Sequence, residues 1–380
     1  MILQQPLVPQ PSVSLFTLVS PQPKPRIVPT PRPAGSRISL RDIAADIGVS
    51  HVTVSLALRG DPRISVARRT EIAAAARLGY RPDPMLASLS AYRQSKRPVE
   101  IRSAIAWINQ WPNPKMLRKL HEFDSYWHGA HDFAERLGYH LEEIIVGADM
   151  SPERLQQILA ARNINGILVP PHQQELNLPG FDWSRYSVIR LGTSVHQIRS
   201  HIVTSDQLKC ASLAFEQMWE RGYRRIGFVT SDRFDRNTGG NFRAGYLSAQ
   251  DKKVPLRQHL APLLISEDNS AADLKALKRW LRLAKPDALL TTPANFPELL
   301  KMAGLRVPAD IAVAGTSTRD GKFDSGVDQN PYEVGRVALA TLAAMVQQNE
   351  RGLPEYCRRI LVEGKWVDGK SLPRKQTPPD

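Results

Sequence analysis

Cysteine is scarce in this 380-residue sequence: Cys210 and Cys357 are its two examples, and neither has a second cysteine or a histidine at zinc-ligand spacing. This argues against a disulfide framework and predicts reduced thiols in a reducing compartment. Long apolar runs are also missing, because no stretch approaches the ~20 residues that cross a bilayer. The unbroken apolar segment of an export signal is interrupted here by Pro9, Pro11, Pro21 and Pro23. We therefore expect a cytoplasmic protein with no membrane partner.

The signatures of several enzyme classes are missing too. The sequence contains no GxSxG elbow, no GxGxxG phosphate loop and no HExxH zinc motif. Four histidines lie near one another in sequence, and two of them, His128 and His131, share a predicted amphipathic helix with Glu135; the other two are His121 and His140. No paired carboxylates accompany them, so solvated or core histidines are favoured over a metal site. The sequence predicts no enzyme, no catalytic residue, no metal and no cofactor.

The length and charge of the chain indicate a multidomain protein with a preference for anions. A chain of 380 residues is too long for one ordinary core, so two or three domains are expected. The 51 Lys and Arg residues exceed the 37 Asp and Glu residues, which gives a net charge of +14. Such an excess favours a polyanionic partner, although many basic proteins bind no nucleic acid.

Changes in composition divide the chain into five parts. Residues 1–36 are rich in proline and are expected to be a disordered leader, or upstream sequence added by an over-early start codon. Residues 37–82 have short helical patterns, and 83–98 form a proline-bounded basic hinge or linker. Residues 99–366 alternate strands with amphipathic helices, which predicts a parallel α/β architecture. Residues 367–380 are expected to be a loose tail.

The α/β part provides the following predicted elements. The strands are Ala104–Ile108, Leu141–Ile145, Gly166–Val169, Val188–Leu191, Ile226–Val229, Ala288–Thr291, Ile311–Ala314 and Ile360–Glu363. The helices between them include Tyr126–Leu137, Pro152–Ala161, Gln207–Arg221, Ala271–Leu283 and Pro331–Gln348. A glycine follows several of these helices, where a left-handed residue ends the last turn.

The segment after residue 37 has the spacing of a helix-turn-helix. Its first predicted helix has an inner face of Leu40, Ile43, Ala44 and Ile47. A glycine then permits a sharp turn, and Val49 fills the angle between two helices. Ser50 caps the second helix, 51–59, whose inner side carries Val54 with Leu58 one turn later. A small residue, a glycine turn and buried valines at this spacing are typical of the motif.

The outer face of the second helix favours DNA contact over a plain three-helix bundle, which is the alternative. A solvated face usually mixes charge signs and avoids adjacent valine and leucine. This face instead carries His51, Val52, Ser55, Leu56 and Arg59, next to Arg63, Arg68 and Arg69.

Three runs of this segment resemble the headpiece of the lactose-repressor/galactose-repressor (LacI/GalR) family. They are SLRDIAADIGVSHVTVS at 39–55, RGDPRIS at 59–65 and LGYRPD at 78–83. The likeness continues through the α/β part as a shared layout with scattered motifs. It implies an all-α headpiece and hinge helix, followed by a two-lobed effector domain like type I periplasmic binding proteins. It also implies a transcriptional repressor on the bacterial nucleoid that binds a pseudo-palindromic operator as a homodimer.

The resemblance implies that the second helix enters the major groove. Family members very often have arginine where this chain has Leu56; arginine bridges two acceptors on guanine, whereas leucine offers apolar contact, for example to a thymine methyl. The operator is therefore expected to differ from the usual family site at that step. Ser50, Thr53 and Ser55 suit phosphate contacts, which set register. The complete set of headpiece contacts is Ser50, His51, Val52, Thr53, Ser55, Leu56, Arg59 and Arg63.

The connector 84–89 resembles the family's hinge helix. In the family this helix folds on DNA, pairs with its dimer mate in the minor groove and inserts a leucine between base pairs. Leu89 occupies that position here, and Leu86 replaces a common small alanine. The insertion unstacks a base step and gains a bent site. The alternative is a plain linker helix with Leu89 packed on the core.

Two lobes joined by a hinge make a cleft, and small ligands bind there at strand C-terminal ends. The sequence departs from the family at this place. The usual ligand arginine is Phe242, so Arg243 and Arg236 are the nearby substitutes, and the usual carboxylate turn reads Gly315-Thr-Ser-Thr. The candidate contacts to a sugar-like effector are Asn109, Trp111, Tyr126, Asp206, Arg236, Arg243, Asn295 and Ser317. The aromatic residues among them have core packing as an equal alternative.

A transporter's solute-binding protein is the other interpretation of a two-lobed fold. It would need an export signal and would have no use for the helical segment 37–82. A DNA-binding regulator is therefore the favoured interpretation.

Overall fold

The computed structural model describes residues 40–58, 63–76, 103–266, 268–320 and 322–375. The chain divides into two compact units between residues 96 and 97. Among the described residues, no helix is long and apolar enough to cross a membrane.

In the described residues of the first unit, three short helices form a bundle: α1 (Leu40–Ile47), α2 (His51–Leu58) and α3 (Val66–Ala76). Gly48 has a φ of +72°, a left-handed conformation that glycine adopts without strain, and it turns the chain between α1 and α2. The Ser50 hydroxyl accepts a hydrogen bond from the Thr53 amide at 3.1 Å and caps α2. The bundle closes over a small core of Ile43, Ala44, Val54, Ala57 and Ile72.

One prediction about this core is wrong. Leu58 was expected on the inner side of the second helix, but it is 37% exposed, whereas the smaller Ala57 is buried. Ala57 lies three positions after Val54, and Leu58 lies four positions after it; both spacings are close to one helical turn. In the structure Ala57 faces inward, because α1 and α3 both pack closely on that face of α2.

The second unit contains two parallel α/β lobes, as the sequence predicted. Its elements in chain order are β1 (Ser103–Asn109), α4 (His121–Arg136), β2 (Tyr139–Ile145), α5 (Pro152–Ala161), β3 (Gly166–Val169), β4 (Ser187–Leu191), β5 (His201–Ser205), α6 (Gln207–Glu220), β6 (Ile226–Ser231), α7 (Asp232–Asn237), α8 (Asn241–Lys253), β7 (Leu263–Ile265), α9 (Ala271–Ala284), β8 (Ala288–Thr291), α10 (Phe296–Met302), β9 (Ala312–Gly315), β10 (Gly326–Asp328), α11 (Pro331–Gln348), β11 (Arg359–Val362) and β12 (Lys365–Val367).

Each lobe is built on one six-stranded sheet. Lobe 1 has the strand order β11-β5-β4-β3-β1-β2, and all of its pairs are parallel. Lobe 2 has the order β12-β10-β9-β8-β6-β7, with β12 antiparallel to β10. The chain crosses between the lobes after β5, after β10 and after β11. Three crossings form a hinge rather than a single flexible linker.

Glycines let helices within each lobe approach closely. In lobe 1, a Cβ on Gly129 of α4 would lie 1.9 Å from the carbonyl oxygen of Tyr332 at the start of α11. In lobe 2, a Cβ on Gly245 of α8 would lie 2.1 Å from the carbonyl oxygen of Leu208 in α6. No side chain fits at either crossing, so both glycines are needed for packing.

The segment that follows β12 is ordered against lobe 2. Leu372 is buried in the core, and its amide donates to the Ser325 hydroxyl at 3.1 Å. The Tyr223 hydroxyl donates to the Pro373 carbonyl at 2.7 Å. The expectation of a loose tail is therefore wrong as far as residue 375. A single apolar residue among polar ones gave no periodic signal for this docking.

Candidate DNA interface and interlobe cleft

The outer face of α2 presents an imidazole and an aliphatic side chain side by side. His51 is exposed, and Val52 is 52% exposed although it is apolar. Ser55 and Leu56 are half-buried, so part of each side chain remains accessible. The hydroxyls of Ser50 and Thr53 lie 2.8 Å apart and hydrogen-bond with each other at the start of the helix.

Basic residues flank this face within the described part of the headpiece. Arg63 is exposed, and Arg68 forms an ion pair with Glu71 at 2.7 Å. Three predicted contacts, Arg59, Leu86 and Leu89, lie outside the described residues. The predicted contact residues that are exposed thus lie at the N-terminus of α2 and just after it. In helix-turn-helix proteins, this end of the recognition helix contacts base edges.

The cleft lies between the C-terminal ends of the two sets of parallel strands, because contacts across it join the loops that follow them. The Thr193 hydroxyl, after β4, donates to the carbonyl oxygen of Asn237, at the end of α7, at 2.7 Å. Asp320, after β9, accepts hydrogen bonds from the amides of His121 and Glu122 at 2.7 and 3.0 Å. The lobes are therefore in direct contact across the cleft in this structure.

Asp206, one of the predicted effector contacts, belongs to the hinge. Its carboxylate accepts from the Lys209 amide at 3.0 Å and caps α6, and its own amide donates to the Val362 carbonyl at 2.7 Å. A neighbouring crossing is held by the buried pair of Ser205 and Gln329, whose Oγ and Oε1 atoms lie 2.5 Å apart. Asp206 thus holds two crossing segments together.

Two predicted contacts in lobe 1 are engaged by the protein itself. The Asn109 amide nitrogen donates to the Glu143 carboxylate at 2.7 Å, and its oxygen accepts from the Trp111 amide at 3.0 Å. The Trp111 indole donates to the Pro171 carbonyl at 2.9 Å. Nearby, burial lowers the pKa of His172 to about 4, so this imidazole is neutral and accepts from a backbone amide.

The polar candidates of lobe 2 are also paired. Arg236 forms an ion pair with Asp232, and Arg243 lies 3.0 Å from the carboxylate of Asp235. Asn295 donates to Asn269 at 3.0 Å. Phe242, which stands where the family has its arginine, is only 2% exposed and packs in the core of the lobe.

Glu122 brings two predicted residues, Tyr126 and Ser317, together across the cleft. Its carboxyl lies near Ser317 of lobe 2 and 3.5 Å from the Tyr126 hydroxyl. Burial, with the negative charge of Asp320 as the second cause, raises the pKa of Glu122 to about 7. Glu122 was not among the predicted residues, because the predicted helix starts at Tyr126, whereas α4 begins five residues earlier at His121.

The four histidines noted in the sequence do not meet. His131 stacks on Trp127 with a ring separation of 6.0 Å, and His128 pairs with Asp124 at 3.3 Å on the same helix. Within the part of the chain that the structure describes, no three His, Cys, Asp or Glu residues are grouped as a metal site.

Comparisons with known proteins match both units. Residues 39–83 match the model of bacterial regulatory proteins of the lacI family, and residues 215–372 match that of a periplasmic binding protein-like domain. The transcriptional repressor CytR of Escherichia coli K12 is 23% identical over 339 residues, covering 83% of this chain and 91% of CytR. The regulator GntR of the same strain is 26% identical over 346 residues, covering 88% and 94%.

Among solved structures, the regulator CelR in complex with cellobiose has a TM-score of 0.55 at 20% identity, covering 88% of this chain and all of that one. This similarity shows the same fold.

Proposed function

The chain belongs to the LacI family of bacterial regulatory proteins, and from this premise we propose that it is a sequence-specific, DNA-binding transcriptional repressor controlled by a small effector. The observation that carries the proposal is the outer face of α2. His51 and the 52%-exposed Val52 lie at the N-terminus of α2, whose opposite side packs in the core of the three described helices, and this exposure supports a role of the two residues in reading base edges.

The proposed readout assigns bases to His51, Val52 and Leu56, and phosphates to Ser50 and Thr53. The mutual hydrogen bond of the two hydroxyls fixes their direction at the helix N-terminus, where an anion is favoured. One headpiece buries too little DNA for tight specific binding, so two headpieces of a homodimer would read the two halves of a pseudo-palindrome.

The proposed effector is a small sugar-like molecule that binds between the lobes. Tyr126 of lobe 1 and Ser317 of lobe 2 lie near the same carboxyl, that of Glu122, and the similar regulator CelR was solved with cellobiose. Asn109, Trp111 and Asp206 hold segments of the fold together through internal hydrogen bonds, whereas Tyr126 and Ser317 meet at Glu122 where the two lobes face each other, so we propose Tyr126 and Ser317 as the effector contacts. The chain is proposed to act as a regulator rather than as an enzyme, and its cytoplasmic location stays a prediction.

Selection of bound duplexes from a random pool tests the proposal. Purified full-length protein should enrich a pseudo-palindrome, and His51→Ala should change the preferred base at one symmetric step. Leu89→Ala should weaken that enrichment while salt-sensitive binding persists. Binding that enriches no sequence would contradict the proposal.

A further inference from the structure

The N-terminus of α4 is capped by a residue of the opposite lobe. Both carboxylate oxygens of Asp320 accept backbone hydrogen bonds there, Oδ1 from His121 at 2.7 Å and Oδ2 from Glu122 at 3.0 Å. The two segments are about 200 residues apart in sequence and belong to different lobes. This is a bidentate, charge-assisted contact, which is stronger than a neutral hydrogen bond.

Lobe 1 itself supplies no side-chain cap for this helix. Leu120 occupies the N-cap position and makes no capping hydrogen bond. The first amides of an α-helix have no partner within the helix, so those of His121 and Glu122 depend on Asp320. The helix dipole adds a partial positive charge at this end, which favours the carboxylate further.

A second contact adjoins the first. The carboxyl of Glu122, in lobe 1, lies near Ser317 of the same lobe 2 loop that carries Asp320. Further across the cleft, Thr193 donates to the carbonyl of Asn237. The contacts at α4 and at Thr193 thus tie different parts of lobe 1 to lobe 2.

We propose that Asp320 is an interlobe latch, a carboxylate of lobe 2 that caps α4 of lobe 1 and holds the cleft closed without an effector. The latch regulates the same cleft that binds the effector, and in this respect it rests on the proposed function. Opening the lobes leaves two helix amides without their acceptor, so the open form has to replace the carboxylate with water. Effector binding then acts on an equilibrium that the protein's own contact already biases toward closure.

Glu122 makes the latch sensitive to pH. Around its carboxyl lie Asp320, Asp328 with its ion-paired Arg319, the hydroxyls of Tyr126 and Ser317, and the thiol of Cys210. In the closed structure its pKa is about 7, against 4.5 for an ordinary glutamate. Closure of the lobes therefore takes up a proton on Glu122. The stabilisation of the closed form by this proton is complete below pH 4.5, declines as the pH rises and is lost above about pH 7. The closed-to-open ratio changes by at most about tenfold per pH unit in this window.

Hydrogen–deuterium exchange of the full-length chain, without DNA or effector, measures the latch directly. The readout is the protection of the His121 and Glu122 amides, resolved with overlapping peptides and corrected for intrinsic exchange. Asp320→Ala should reduce this protection by about tenfold or more, and the protection in Asp320→Asn should lie between that of the wild type and that of Asp320→Ala. The matched control is Asp310→Ala, which removes a carboxylate of lobe 2 that pairs with Arg306 instead.

Unchanged protection in Asp320→Ala, or an equal loss in Asp310→Ala, would overturn the latch.

A second measurement uses the wild-type chain and needs no folded Asp320 variant. Its corrected protection at these amides should fall between pH 5 and 7.5, and Glu122→Gln should abolish the fall; a flat wild-type profile overturns the pH sensitivity. Operator enrichment is measured separately, so a failed latch leaves the proposed function intact, and failed enrichment leaves the exchange result readable.

Discussion

Replacing Val54 by alanine perturbs the small core on which the DNA-reading face depends. Val54 is fully buried in α2 and packs with Ile43 and Ile72. Its side chain points inward, so the exposed residues of the helix are left unaltered. A loss of operator binding in this variant would therefore report headpiece stability rather than a lost contact.

The expected cost follows from the burial. Two methyl groups leave the core at about 0.8 kcal/mol each, and the cavity that remains adds roughly 1 kcal/mol, for a total of about 2–3 kcal/mol. This is a large share of the stability of so small a unit. At about 1.4 kcal/mol per factor of ten, the unfolded fraction of the headpiece should rise roughly 30- to 140-fold.

Tryptic cleavage after Arg68 and Arg69 in α3 is a suitable assay, because a protease reaches these bonds when the helix opens. Cleavage of Val54→Ala should accelerate by the same factor as the unfolded fraction. Leu58→Ala, on the same helix but 37% exposed, is the matched control and should accelerate cleavage by less than about fivefold. Equal acceleration of cleavage in both variants would contradict the structure, in which Ala57 belongs to the core and Leu58 does not.

Three further predictions concern other parts of the chain. His51→Ala should leave tryptic protection and salt dependence nearly unchanged while discrimination at one base step falls by about 1–3 kcal/mol, measured by competition between operator variants; unchanged discrimination would remove His51 from base readout. Gly245→Ala should destabilise lobe 2 by more than about 2 kcal/mol in thermal unfolding, because its Cβ would meet the Leu208 carbonyl oxygen; a neutral effect would mean that α6 and α8 are farther apart. Alkylation at pH 8 should modify the exposed Cys357 quickly and the buried Cys210 only after unfolding, because burial raises the pKa of Cys210 to about 12. Rapid alkylation of both thiols in the native chain would contradict the burial of Cys210.

Elements with clear end signals could be predicted from sequence. The helices α5 and α11 have the predicted bounds, and each begins at a proline, which suits the first helical position. Ser151 also caps α5, accepting from the Arg154 amide at 3.2 Å. The alternation of such helices with apolar strands was sufficient for the α/β fold class.

Strands without an apolar pattern were missed. The buried strand β5 contains His201, Thr204 and Ser205, and its polar groups are accommodated by long-range partners such as Glu350, which pairs with His201 at 3.0 Å. Strands β7, β10 and β12 have three residues each and are too short to show a period.

The cleft could be predicted in outline but not in detail. Sequence reasoning named Tyr126 and Ser317 separately, and the residue that joins them, Glu122, looked like an ordinary acidic residue near a helix start. Whether a polar side chain faces a ligand or a neighbour depends on contacts far away in sequence. Asn109 shows this, because its partner Glu143 lies on the next strand of the sheet.

Reading of DNA sequence by this chain can be measured as a specificity ratio. Dissociation constants of the full-length protein are measured by fluorescence anisotropy for the enriched operator and for a scrambled duplex of the same length, at matched salt concentrations across a salt series. Sequence-specific binding predicts a ratio of about 1,000 or more, with weaker salt dependence of the ratio than of either constant. A ratio near one, with both constants rising steeply with salt, would mean that the basic chain binds DNA by charge alone.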